Sequence, residues 1–86
     1  MTAPTALIAD DEPLLREVLQ GLLAAQWPAL QVVVTARNGL EAIERFDALR
    51  PAVCFLDIHM PGASGIEVAR HVGARAHVVF ITAFDQ

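Results

Sequence analysis

Four short runs along the chain are apolar at successive positions: Ala6-Leu7-Ile8-Ala9, Val32-Val33-Val34, Val53-Cys54-Phe55-Leu56 and Val78-Val79-Phe80-Ile81. A strand with one wet face alternates apolar and polar residues. Unbroken runs therefore predict strands buried on both faces, as in a parallel sheet. The stretches between them carry helical spacing instead. The first opens at Pro13, whose fixed φ suits the first helical position, with Asp11 and Glu12 just before it. Leu14, Leu15, Val18, Leu19, Leu22 and Leu23 form its wide apolar stripe, and Pro28 stops it. The second follows Asn38-Gly39 and puts Leu40, Ile43, Phe46 and Leu49 on one face before Pro51. The third begins at Ser64-Gly65-Ile66-Glu67, a Ser-x-x-Glu capping box, carries Ile66, Ala69 and Val72, and ends at Gly73.

The predicted order is β-α-β-α-β-α-β. Such alternation implies right-handed crossovers and an α/β fold, a doubly wound parallel sheet with helices on both faces. The 86 residues fit a single domain, 1–86, with one modest core. With 55% apolar residues and only 19% charged, intrinsic disorder is excluded. The net charge of −4 argues against a nucleic-acid surface on this segment. A lone Cys54 inside an apolar run reads as a buried, inert thiol in a reducing compartment.

Two checks bear on location. Asp10, Asp11 and Glu12 break the early apolar stretch, so no signal peptide is expected. Residues 18–36 carry no charge and are long enough to cross a bilayer. They also hold Gly21, Pro28, Gln20, Gln26 and Gln31, so a helix and a strand joined at Trp27-Pro28 account for them better, with Trp27 sealing the helix end. A cytoplasmic protein without a membrane partner is the expectation.

Ligands of doubly wound sheets gather outside the carboxyl ends of the strands. The first strand ends in Asp10-Asp11, the third in Asp57 and the fourth in Thr82, whereas Thr35-Ala36-Arg37 at the second offers less. With strand order 2-1-3-4 the first and third strands are neighbours, about 4.8 Å apart. Asp11 and Asp57 then reach one small cation, with Asp10 close by. Crowded carboxylates repel each other and invite a hard, oxygen-seeking ion such as Mg²⁺. Thr82 adds a hydroxyl beside Asp57, completing a site for a phosphoryl group with a carboxylate nucleophile. Taken singly, each element has a plainer reading. Asp10-Asp11-Glu12 serves as a helix start, Asp57 as a turn residue and Thr82 as a strand-end hydroxyl. Their combination at the ends of adjacent strands is what points to chemistry. Gly-x-Gly-x-x-Gly, P-loop, His-Glu-x-x-His and Cys-x-x-Cys motifs are all absent, and His71 and His77 read as surface residues.

Asp10-Asp11, then Asp57-Ile58-His59-Met60-Pro61-Gly62-Ala63-Ser64-Gly65, then Thr82-Ala83, in this order, resemble the receiver domain of two-component response regulators. The resemblance spans the chain and implies a flavodoxin-like fold, for which a chemotaxis receiver is a standard example. It implies that Asp57 accepts the phosphoryl group from a histidine kinase. Asp11 would bind Mg²⁺ directly, Asp10 would bind it through water, and His59 would offer its backbone carbonyl. Thr82 would contact a phosphoryl oxygen and act as a switch, while Met60-Pro61 and Gly65 would shape the loop after Asp57. The ending Phe80-Ile81-Thr82-Ala83-Phe84-Asp85 further resembles receivers that precede LytTR-type DNA-binding domains, so DNA would be met only through an output domain beyond this chain.

The family pattern also has a lysine at the end of a fifth strand, then a last helix, and this chain contains no Lys at all. The resemblance therefore implies a receiver truncated after its fourth strand, impaired in phosphorylation and self-associating through the exposed fourth-strand edge. Two other classes compete with this one. A non-phosphorylated, receiver-like interaction module needs only the fold. A haloacid-dehalogenase-like phosphatase would carry a second Asp two residues after its nucleophile, where this chain has His59.

Overall fold

The computed structural model describes residues 2–81. Its elements follow the predicted alternation: β1 (Thr5–Ala9), α1 (Pro13–Gln26), β2 (Gln31–Ala36), α2 (Gly39–Leu49), β3 (Val53–Asp57), α3 (Gly65–Val72), a 3-10 turn (Gly73–Arg75) and β4 (His77–Ile81). All strand pairs are parallel, and the sheet order is β2-β1-β3-β4. This is a doubly wound, flavodoxin-like sheet, as the sequence implies.

Each helix start has a local cause. Pro13 occupies the first position of α1 and needs no hydrogen-bond partner for its nitrogen. Asn38 caps α2 by accepting from the Glu41 N–H at 2.8 Å, and the Glu41 carboxylate reaches back to the Arg37 N–H at 2.9 Å. At α3 the capping box is complete: Ser64 Oγ accepts from the Glu67 N–H, and Glu67 Oε1 accepts from the Ser64 N–H. Gly73 ends α3 at φ 58°, a conformation that suits glycine.

The sheet separates two apolar layers. On one face Leu7, Ala9, Cys54 and Leu56 meet Ala42 and Phe46 of α2 and Val68 and Val72 of α3. Phe46 is fully buried here, which contributes roughly 1.5 to 3 kcal/mol relative to an exposed side chain. His71 of α3 bonds Asp47 of α2 at 2.8 Å beside that ring. On the other face Ala6, Ile8, Val53 and Phe55 pack with Leu30 and with Leu19 and Leu23 of α1. Burial raises the Cys54 thiol to about 11, consistent with an inert thiol.

Burial on both faces holds for β1 and β3 and fails for β2 and β4. The central strands have a neighbour on each side and helices above and below. β2 alternates toward solvent, with Val33 skipped by a register shift between Ala6 and Leu7. On β4 Val79 and Phe80 are 44% and 42% exposed. Helix α1 has no fully buried residue: Leu14, Val18 and Leu22 face outward, and only Leu19 and Leu23 join the core. Trp27 seals α1 through its backbone, donating to the Leu23 carbonyl at 2.7 Å, while its side chain stays half-exposed. No described helix is long and apolar enough to cross a membrane.

Candidate functional site

Parallel strands deliver their carboxyl ends to one edge of the sheet. Ala9 pairs with Leu56 across β1 and β3, so the residues that follow, Asp10-Asp11 and Asp57, emerge side by side. One carboxylate oxygen from each of Asp10, Asp11 and Asp57 lies within 4.8 Å of the others. Asp10 and Asp11, adjacent in sequence, thus meet Asp57 from a distant segment.

Asp10 is almost completely buried and held at three points. Its N–H donates to the Ala36 carbonyl at 3.0 Å, and its Oδ1 accepts from the Glu12 N–H at 2.9 Å. Its carbonyl oxygen accepts from Arg16 Nη1 at 2.7 Å. Asp11 is exposed and Asp57 half-buried. One Asp10 oxygen thus serves the turn that leads into α1, whose start has no side-chain cap, while the same carboxylate also lies in the cluster.

Burial is the main cause that raises the Asp57 pKa, followed by the charge of Asp10; the His59 N–H opposes this, and Asp11 adds a smaller upward push. That N–H donates to Asp57 Oδ1 across a long 3.4 Å. His59 itself is exposed, next to the cluster in sequence. Thr82 lies outside the described residues; Ile81, which precedes it in the chain, pairs with Asp57.

The donor set fits a hard divalent cation. It consists of three carboxylates and, among the described residues, no arginine or histidine is ion-paired with any of them. Such a cluster repels itself unless a cation or protons relieve it.

The loop after Asp57 is fixed by two glycines that close backbone contacts require. A Cβ on Gly65 would lie 2.2 Å from the Asp57 carbonyl oxygen, and one on Gly39 would lie 1.9 Å from that of Ala63. Gly39 also donates to the Pro61 carbonyl at 3.2 Å, docking the loop on the start of α2. Gly65 follows from the motif. Gly39 reads in the sequence only as a helix start, because its tight neighbour Ala63 is more than twenty residues away.

Residues 6–86 match the response regulator receiver domain family, and the chain belongs to that family. It is 52% identical over 85 residues to an uncharacterized response regulatory protein of Vibrio cholerae, covering 95% of this chain and 33% of the relative. It is 46% identical over 82 residues to the transcriptional regulatory protein BtsR of Salmonella typhi, covering 93% of this chain and 34% of BtsR. Among solved structures it resembles the response regulator protein TrrA of Thermotoga maritima, in complex with Mg(2+)-BeF. That match has a TM-score of 0.83 and 35% identity, covering 95% of this chain and 71% of TrrA. The chain spans about a third of the length of these curated relatives. Receiver domains are signalling domains rather than enzymes with turnover.

Proposed function

We propose that Asp57 is the phosphoacceptor of this receiver and that Asp10, Asp11 and Asp57 hold the divalent cation the reaction needs, with His59 contributing its backbone carbonyl. The observation that carries this reading is the gathering of three carboxylates at the ends of β1 and β3. Mg²⁺ bound there would offset the carboxylate charges and polarise the phosphoryl oxygens. The solved structure of TrrA in complex with Mg(2+)-BeF supports a Mg²⁺-dependent reading of this receiver.

The phosphodonor is a phosphohistidine of a sensor histidine kinase. An Asp57 oxygen forms the new bond to phosphorus, the phosphorus–nitrogen bond breaks, and its electron pair returns to the imidazole. Asp10, fixed at its backbone and at Oδ1, keeps the cluster in shape. Thr82, next after the Ile81 partner of Asp57, takes a phosphoryl oxygen and relays the added charge. The whole protein acts in the cytoplasm and reaches DNA through an output domain of LytTR type. The segment from Phe80 to Asp85 and the transcriptional role in the name of BtsR support that output.

The 86 residues contain no lysine, so this chain by itself lacks a charge-assisted contact to the phosphoryl group of roughly 1.5 to 3 kcal/mol. It should label slowly, without a stable activated state. It should also self-associate through β4, which pairs only with β3 among the described residues and leaves Val79 and Phe80 exposed.

Phosphotransfer from an autophosphorylated histidine kinase, read by intact-mass spectrometry over hours, tests the reading. The expected result is an acid-labile phosphoryl adduct that requires Mg²⁺ and is lost in Asp57→Asn. An adduct that survives Asp57→Asn or chelation of the metal overturns it.

A further inference from the structure

Beside the acidic cluster, toward β2, lies an open cleft of about 330 Å³ lined by Arg16, Thr35, Arg37 and Glu41. Its chemistry is opposite to that of the cluster. Arg16 spends one N–H on the Asp10 carbonyl oxygen, which anchors its guanidinium and leaves the other donors for the cleft. The Arg37 guanidinium has no hydrogen bond or ion pair among the described residues; only its backbone N–H is engaged, by Glu41. Thr35 adds a hydroxyl from the end of β2.

From this geometry we infer a binding site for a single carboxylate, clasped between the guanidinium groups of Arg16 and Arg37. Planar guanidinium forks match a carboxylate's two oxygens. Charge decides between oxyanions: two arginines against Glu41 leave a surplus of one positive charge, and Asp10 and Asp11 are close by. Within the lining itself a monoanionic carboxylate matches that surplus, whereas dianionic phosphate exceeds it and meets more repulsion from those two carboxylates. The open mouth suits a side chain presented from outside, so an aspartate or glutamate of a partner protein is the occupant, with a free carboxylic acid as the other source of the same chemistry. Because Arg16 is tied to Asp10, an acidic residue seated here would orient the partner beside Asp57. That last role rests on the phosphoacceptor reading; the binding itself does not.

The test is an amide-shift titration of the protein with a capped pentapeptide carrying one central glutamate, its glutamine counterpart, acetate and inorganic phosphate. The glutamate peptide should give saturable shifts at Thr35, Arg37 and Glu41, and the glutamine peptide none. Arg37→Gln should weaken binding about tenfold, the loss expected of one charge-assisted hydrogen bond. Glu41→Gln, which removes the opposing charge and keeps an acceptor, should tighten it several-fold. Asp57→Asn should leave binding unchanged, which separates this proposal from the fate of the phosphoacceptor. A tighter hold on the peptide than on acetate supports a partner side chain, and equal affinity supports a free acid. Shifts without saturation, shifts unaltered in Arg37→Gln, or phosphate binding more tightly than either carboxylate would overturn the proposal.

Discussion

Gly65 stands so close to Asp57 that a Cβ at Gly65 would fall 2.2 Å from the Asp57 carbonyl oxygen and 2.9 Å from its carbonyl carbon. The Gly65 N–H also donates to the Ile58 carbonyl at 2.8 Å. The start of α3 is thus pressed directly against the backbone of the proposed phosphoacceptor. Both contacts involve main-chain atoms, which cannot swing aside. Gly65→Ala should therefore destabilise the fold by about 1 to 3 kcal/mol, the range for overpacking, and shift the Asp57 amide resonance. Gly21 provides the contrast, since a Cβ there meets nothing within 4 Å. Gly21→Ala in the middle of α1 should stabilise by about 0.5 to 1 kcal/mol. Urea unfolding of the two variants checks both signs.

Asp57 should make stability depend on pH. Asp57 has its pKa raised, chiefly by burial and then by Asp10, so the folded state holds the proton more firmly than the unfolded chain. Stability linked to Asp57 is therefore greatest below the ordinary value of 3.8 and declines as pH rises through the folded pKa. Asp47 shifts the other way, held down mainly by its hydrogen bond to His71. Its contribution is present above 3.8 and fades as pH falls through the depressed value. Asp57→Asn should accordingly raise Tm at pH 7 without divalent ions, and the gain should shrink with saturating Mg²⁺. Asp47→Asn should do the reverse, lowering Tm at pH 7 and losing its effect below the Asp47 pKa. Thermal melts against pH read both.

Strand β4 has β3 on one side and no strand on the other among the described residues. The run from His77 to Ile81 contains no Pro or Lys, the residues that usually blunt an edge, and Val79 and Phe80 are half-exposed. Leu14, Val18 and Leu22 on α1 add more uncovered apolar surface. The 86-residue chain should elute as a dimer or larger species in size exclusion with light scattering, and Val79→Lys should shift it toward monomer. A monomer at high concentration, with β4 amides already protected from exchange, would contradict this.

Much of the architecture was legible in the sequence because its signals are local. Pro13, Asn38 and Ser64 each start a helix through their own chemistry, and Pro28, Pro51 and Gly73 mark the ends. The carboxylate site could be anticipated because parallel strands bring their ends to one edge, which turns Asp10-Asp11 and Asp57 into neighbours. The rest depended on tertiary position. Val33 and Phe80 sit in runs as apolar as those of β1 and β3, yet they are exposed because their strands lie at the sides of the described sheet. The need for glycine at position 39 comes from Ala63, and the cleft pairs Arg16 with Arg37 from separate elements. No local pattern encodes either.

Asp10, Asp11 and Asp57 are proposed to form one cation site around the phosphoacceptor. Trp27 is a poor reporter of it, because α1 separates that side chain from the site by roughly 20 Å at 1.5 Å per residue. The direct measurement is a Mg²⁺ titration followed by backbone amide shifts. Saturable shifts concentrated at Asp10, Asp11, Asp57 and His59, lost in Asp11→Asn and in Asp57→Asn, are the expected result. Shifts spread evenly over the acidic residues of the chain, or saturation unchanged in Asp11→Asn, would contradict it.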